Sequence, residues 1–268
     1  MKTICLKFYL KNMKNLFSIT LLLIASIACQ PQEKKEQKTV EQQPQEESST
    51  FKPDNSDAKA VELANKVMKA HGGEENWNNT HYIAWNFLGA RDLVWDKFSG
   101  NVRIDFPREN STYLININED TGRVKIGDRE LTKSDSLDKY IEKGKQMWVN
   151  DSYWLVFPFK FKDPGVRLKY QGKDTTLTGE AAEVISLTFE EVGFTPQNKY
   201  KAYIDPESHF VLQWDYFRNA SDSAASFSNE WSDYEQYGDI YLSSGRGERS
   251  LGNIKVAQEW DKKVFEEF

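Results

Sequence analysis

The sequence predicts a mainly β (α+β) domain. Its core is a curled antiparallel sheet of about nine to eleven strands, forming a half-open β-barrel with an N-terminal helix and a central helical plug. Three observations lead there. From residue 82 onward, run after run places apolar side chains at every second position, with polar residues between them. That is the pattern of strands covered on one face and wet on the other. Only two stretches, one near 56–71 and one over 135–148, keep the three- and four-residue spacing of a helix. Aromatic residues make up 13% of the chain and include eight Trp, and a large sheet with one apolar face buries such bulk by curling around it.

The elements follow in order. Ser56 or Asp57 can cap a helix that runs to Ala70, with Val61, Ala64, Val67, Met68 and His71 in one apolar stripe. Gly72-Gly73 ends it, and "EENWNN" follows as a turn. Alternation then marks strands around Ile83-Trp85-Phe87, Val102-Ile104-Phe106, Tyr113-Ile115-Ile117 and Val124-Ile126. "NINEDTG" (116–122) has the two-residue spacing of a calcium loop. It lacks Gly at the sixth position and Glu at the twelfth, so it reads as a hairpin turn. Leu137, Tyr140, Ile141, Gly144, Met147 and Trp148 make the helical plug.

The stretch "SYWLVFPFKF" (152–161) comes next, cut by Pro158. Tyr153 to Phe157 is expected to be a short apolar turn under the barrel mouth, because the residue before a Pro is pushed out of helix. Phe159 and Phe161 alternate with Lys160 and Lys162 in strand fashion. The run is too short to cross a bilayer, which takes about 20 residues. Strands resume at Val166-Leu168-Tyr170, Ile185-Leu187-Phe189 and Tyr200-Ala202-Ile204. Phe210-Leu212-Trp214-Tyr216 reads as the longest strand, and Ile240-Leu242 and Ile254-Val256 finish the sheet. No repeat of propeller or solenoid length is present.

Residues 1–28 read as a signal segment: Lys2, Lys7, Lys11 and Lys14 precede an apolar run from Leu16 to Ala28. Met13 is an alternative start to Met1. The run ends "ASIAC", which resembles the lipobox of bacterial lipoproteins, with Ser26 where Leu is usual. That resemblance implies that Cys29 is lipidated and tethers the chain to a membrane, acyl chains contributing on the order of 0.8 kcal/mol per buried CH₂. The only other cysteine, Cys5, lies in the leader. Gln30, where an Asp would favour the inner membrane, points to the outer membrane, periplasmic or surface-facing. Residues 29–55 are rich in Gln, Glu, Lys and Pro and read as a disordered tether. Residues 56–268 then form one domain.

Removing the four leader lysines takes the formal charge from −6 to −10. Such a domain repels phosphate backbones, so nucleic acid is not an expected partner. No nucleophile elbow, P-loop, dinucleotide fingerprint or HExxH motif occurs. His71, His81 and His209 are scattered, and no metal site or cofactor is expected from them. His71, beside Gly72, can bond the last helical carbonyls or interact with the helix dipole. A carboxylate pair for hydrolysis would need two acids on a cleft floor, whereas the acids in these strands mostly alternate onto the wet face.

The aromatic surplus carries the functional signal. Most of it fills the core, and a subset near the plug can line a cavity for an apolar ligand. "ANKVMKAHGGEENWNN" (64–79), "YWLVFPFKFKDPGV" (153–166), "YKAYIDPESHFVLQWDYF" (200–217) and "YGDIYLSSGR" (237–246) look like an uncharacterised family of secreted or lipid-anchored bacterial proteins. The order of elements resembles the LolA/LolB-like half-barrel of lipoprotein carriers. That resemblance implies an apolar concavity for acyl chains, lined from the plug and facing strands by Trp85, Phe87, Tyr113, Ile115, Trp148, Trp154, Leu155 and Phe157. Trp154 and Phe157 are where a filled or emptied cavity would show. The expected function is therefore a non-enzymatic, monomeric, lipid-anchored envelope module for an acyl chain, lipid or lipoprotein. The alternatives are an interaction protein of the outer membrane with a filled barrel and, third, a hydrolase.

Overall fold

The computed structural model describes residues 50–268, which belong to one compact unit. The leader, Cys29 and the tether up to residue 49 lie outside the described residues. Six strands succeed one another as hairpins: β1 (Tyr82–Phe87), β2 (Arg91–Asp96), β3 (Asn101–Phe106), β4 (Ser111–Asn116), β5 (Thr121–Ile126) and β6 (Arg129–Glu130). A second antiparallel meander holds β7 (Val166–Thr175), β8 (Ala181–Phe189), β9 (Lys199–Ile204), β10 (Val211–Phe217) and β11 (Phe227–Glu230). A third holds β12 (Ser232–Tyr237), β13 (Ile240–Arg246) and β14 (Arg249–Ser250), and β15 (Gly252–Ala257) returns to pair with β1.

The three sheets are stages of one curl. Only Trp231 separates β11 from β12, and only Leu251 separates β14 from β15. Both side chains are buried, so each corner turns about an apolar pivot where the strand changes sheets. The curl does not close, and β6 and β7 are its free ends. The domain is mainly β, a half-open barrel as expected, but with fifteen strands among the described residues. The unexpected ones are β2, β6, β11, β12 and β14. Two of them are two residues long, and β11 and β12 are polar strands whose apolar anchor is the corner residue between them.

Helix α1 (Ala58–Ala70) buries Ala60, Leu63, Ala64, Val67 and Met68, a stripe rotated slightly from the expected one, with Val61 only half-buried. The expected caps work differently. Asp57 accepts a bond from the backbone N–H of Tyr170, and Ser56 Oγ accepts one from that of Leu168, at 3.0 and 2.9 Å. The backbone of Asp57 in turn donates to Leu168 O. These residues therefore satisfy the outer rim of β7, a sheet edge that would otherwise be open to pairing. Within the tether, Pro53–Asn55 forms a 3-10 turn and Phe51 packs against the core. Gly72 (φ +117°) ends α1, where an added Cβ would lie 2.4 Å from Asp239 O. "EENWNN" is a short helix, α2 (Glu74–Asn79), rather than a turn, and its Trp77 stacks on Phe159.

The plug is longer than expected. Helix α3 runs Leu137–Val156, so Tyr153 to Val156 is helix, and Phe157–Lys160 continues as a 3-10 turn rather than a strand. No residue between 149 and 156 breaks a helix. Pro158 falls in the first turn of the 3-10 segment, where its missing N–H leaves no bond unmade. Phe157, Phe159 and Phe161 are all buried. Gly144 sets α3 against the first sheet: a Cβ there would lie 3.0 Å from Ile115 Cδ1 and 3.2 Å from Tyr113 Cδ1. Gly144→Leu is expected to lower stability by about 1–3 kcal/mol through overpacking, read from urea unfolding. An unchanged midpoint would show that the plug is loosely seated.

Two faces expected to be wet are covered. Tyr82 and Ala84 on β1 are buried, and Phe265 of the C-terminal segment lies near the Tyr82 ring. Arg103 holds that segment by donating to Val264 O and Glu267 O, and Arg123 by donating to Glu266 O. Strand β10 has a register shift between Val211 and Gln213, so Val211, Gln213, Asp215 and Phe217 are buried together with Trp214. The longest strand is β7, not β10.

Candidate ligand cavity

A cavity of about 870 Å³ remains where the second half of α3 faces the second sheet. That size falls in the range of small-molecule pockets, about 300–1,000 Å³. Helical spacing puts Trp148 with Ser152 and Val149 with Tyr153 on the lining side of α3. Strands β9 and β10 contribute Tyr200, Trp214 and Tyr216, with Tyr216 paired across from Tyr200. Phe87 comes from the end of β1 and Leu88 from the β1–β2 turn, with Val192, Phe194 and Thr195 from the β8–β9 loop.

The lining is an aromatic box. Trp154 meets Trp214 edge-on at 5.1 Å and stacks over Phe227 at 6.0 Å. Tyr200 stacks on Trp214 at 5.2 Å, and Tyr216 on Phe227 at 4.9 Å. Burial pushes the phenols of Tyr153 and Tyr200 well above their ordinary pKa, so both stay neutral. At the mouth, Phe194 and Phe227 are 42% and 41% exposed, which is unusual for phenylalanine beside an apolar cavity. The Nε1–H groups of Trp148 and Trp214 have no acceptor among the described residues.

Two arginines hold the α3 wall of this box. Arg91 on β2 donates Nε–H and Nη2–H to the two carboxylate oxygens of Asp151 at 2.6 and 2.7 Å, and Asp151 is fully buried. Desolvation pushes the Asp151 carboxyl up, against the pull of Arg91. Arg246, 1% exposed, donates to the backbone oxygen of Trp154 and stands 3.6 Å over the Trp231 ring. It thereby satisfies one of the carbonyls that a helix end leaves open. At the rim, Lys160 pairs with Asp163 at 3.0 Å, and Arg249 lies 5.8 Å from the Trp154 ring centroid.

Of the eight side chains expected at an apolar site, Phe87, Trp148 and Trp154 line this cavity. Phe157 packs behind its wall, edge-on to Trp214 at 5.0 Å. Trp85 and Leu155 are in the core, and Tyr113 and Ile115 lie on the other side of α3, against Gly144. Sequence reasoning missed Tyr200, Trp214, Tyr216, Phe194, Phe227 and Arg249. The first three sit in recognised strands and could have been found by pairing β9 with β10. Phe194 is a lone aromatic in a polar loop and gives no periodic signal.

The remaining polar groups are committed elsewhere. Asp215 accepts from Tyr203 and Gln213 on the outer face of the second sheet. His71 sits among aromatic rings, with Nδ1 2.7 Å from Val67 O, the carbonyl bond expected of it. No group of three His, Cys, Asp or Glu is placed to hold a metal ion among the described residues. No helix among them is long and apolar enough to cross a membrane. A smaller recess of about 480 Å³ lies between residues 50–53 and α1, with the Lys162–Glu74 ion pair at its side.

No family model matches the chain, and no curated protein does. Among solved structures, it is similar to a domain described as outer membrane lipoprotein-sorting from Vibrio parahaemolyticus. Identity there is 10%, over 77% of this chain and 96% of that one, with a TM-score of 0.39. It is also similar to a DUF1329 family protein from Desulfovibrio piger ATCC 29098, at 12% identity over 78% of this chain and 97% of that one, with a TM-score of 0.42.

Proposed function

We propose that this chain is a lipid-anchored protein of the outer membrane whose half-barrel holds an apolar ligand and does not transform it. The ligand class is an acyl chain, carried by a lipid or a lipoprotein. The observation that carries this reading is the aromatic cavity itself, about 870 Å³, opening to solvent past two exposed phenylalanines. A filled barrel would leave no such space. The carboxylates nearest to it are bound to Lys160, Arg91, Tyr203 and Gln213, so among the described residues no free acid–base pair faces the ligand. The lipobox-like run ending at Cys29 and the carrier-like order of elements support the envelope setting, and the domain would act as a monomer.

Native mass spectrometry of the purified chain tests the reading, together with titration of a fluorescent fatty acid. Saturable uptake or a copurifying lipid is expected. Phe194→Asp puts a charge at the mouth and is expected to weaken uptake about tenfold, the scale of losing one buried apolar side chain's contact. Leu177→Asp makes a like change at an exposed position (71%) outside the lining and is expected to leave uptake unchanged. Equal loss in both variants, or no uptake by either or by the unmodified chain, would sink the proposal.

A further inference from the structure

We propose that the ligand of this cavity is an amphiphile with an anionic end, and that Arg249 at the mouth holds that end. The inference rests on the apolar-ligand reading above and goes beyond it in naming the head group's charge. Three charged residues line the cavity, Lys160, Asp163 and Arg249. Lys160 and Asp163 neutralise one another at 3.0 Å. The Arg249 side chain makes no ion pair and no hydrogen bond among the described residues, and its contact is the face of Trp154. Glu248, its neighbour on the same hairpin, does not pair with it. The cavity thus presents one unneutralised cation beside an apolar wall, in a chain whose formal charge is −6. An acidic protein repels anions over most of its surface, so a single free guanidinium at an aromatic mouth discriminates in favour of a ligand whose one charge is negative.

The hairpin is built to keep Arg249 there. Arg246 and Arg249 are paired residues across the β13–β14 turn. Arg246 is buried, donates to Ser243 Oγ at 2.8 Å and reaches Trp154 O, so the hairpin is fastened to the residue over whose ring Arg249 lies. Arg249 itself is exposed, and its five N–H donors are free for a carboxylate or phosphate. An acyl chain lying among Trp154, Trp214 and Phe227 would bring its polar end to this point.

Dodecanoate, dodecyl phosphate, dodecanol and dodecyltrimethylammonium, each below its micelle concentration, are titrated against the full chain in competition with a fluorescent fatty acid. Dodecanoate or dodecyl phosphate is expected to bind at least about tenfold tighter than dodecanol, the scale of a hydrogen bond to a charged group. Which of the two binds tighter identifies the head group as carboxylate or phosphate. Arg249→Gln is expected to erase that margin while leaving dodecanol binding unchanged, Arg249→Lys to keep part of it, and Arg249→Glu to favour the ammonium. Equal binding of dodecanol and both anions, or a margin that survives in Arg249→Gln, overturns this inference and leaves the apolar-ligand reading standing. Failure of all four probes to bind overturns both.

Discussion

Replacing Arg91 by Met is expected to lower the stability of the domain by about 3–5 kcal/mol at pH 7, the cost of leaving a buried charge without its partner. The carboxylate of Asp151 is fully buried in the second half of α3. Apart from Arg91, its neighbour Asn150 is the side chain that donates to it. Arg91 also lies over the rings of Phe87 and Phe106, so the methionine keeps much of the apolar contact and isolates the charge. The sign of the pH dependence follows from the direction of the shift. Desolvation already raises the Asp151 pKa, and removing Arg91 raises it further. A carboxyl whose folded pKa lies above its unfolded value favours the folded state in acid, and that advantage is lost as pH rises through the folded pKa. The deficit of Arg91→Met is therefore greatest at neutral pH and shrinks as pH falls towards 4. Arg91→Met combined with Asp151→Leu removes both charges and is expected to recover most of the loss. Urea unfolding of the three proteins at pH 7 and pH 5 measures this. A single variant that loses less than about 1 kcal/mol, or a deficit that grows in acid, would mean that the pair does not hold α3.

The same pair shows where sequence reasoning stops. Alternation located ten strands and both long helical regions, because period two and period 3.6 are local properties of the chain. It missed β2 (Arg91–Asp96), where only Leu93 and Trp95 mark the covered face, and with it the residue that anchors the plug. It ended α3 at Trp148 because the pattern blurs where a helix is covered on more than one side. Asp151 and Ser152 are polar yet buried, and a helix whose polar residues face inward has no clean stripe to read. The candidate site was legible in kind, an aromatic lining beside the plug, and only partly in membership. Trp148 and Trp154 line the cavity because they sit on the plug, and Phe87 because it ends the strand beside it. Tyr113 and Ile115 sit on a facing strand too, but on the filled side of α3. Which side stays open depends on Gly144 letting the helix approach the first sheet, a contact between residues about 30 positions apart that no local period encodes.

Lowering the pH from 7 to 4 is expected to remove about 3 kcal/mol of stability through His71 alone. Its imidazole is fully buried at the end of α1, and rings of Phe159, Phe210 and Tyr234 surround it edge-on. Burial drives its pKa down from 6.5 to about 4, against the hydrogen bond to Val67 O. The unfolded chain takes up this proton near pH 6.5 and the folded chain only near 4, so stability falls as pH drops through that window and levels below it. Each unit is worth about 1.4 kcal/mol, which sets the total. His71→Leu leaves Val67 O without its side-chain donor and is expected to be less stable at pH 7, yet with a shallower acid slope. The difference in slope between the two proteins isolates the histidine from the carboxylates that titrate in the same range. Parallel slopes would show that the folded protein accepts the proton without cost. Tyr234, which faces His71, donates to Val211 O at the start of β10 and belongs to β12. Protonation therefore strains the junction where α1, the 3-10 turn after α3 and the Trp231 corner meet. That corner ends at the β11 strand carrying Phe227, so acid is expected to loosen the mouth side of the cavity before the first sheet, with faster amide exchange at β11 and β12 than at β3 and β4.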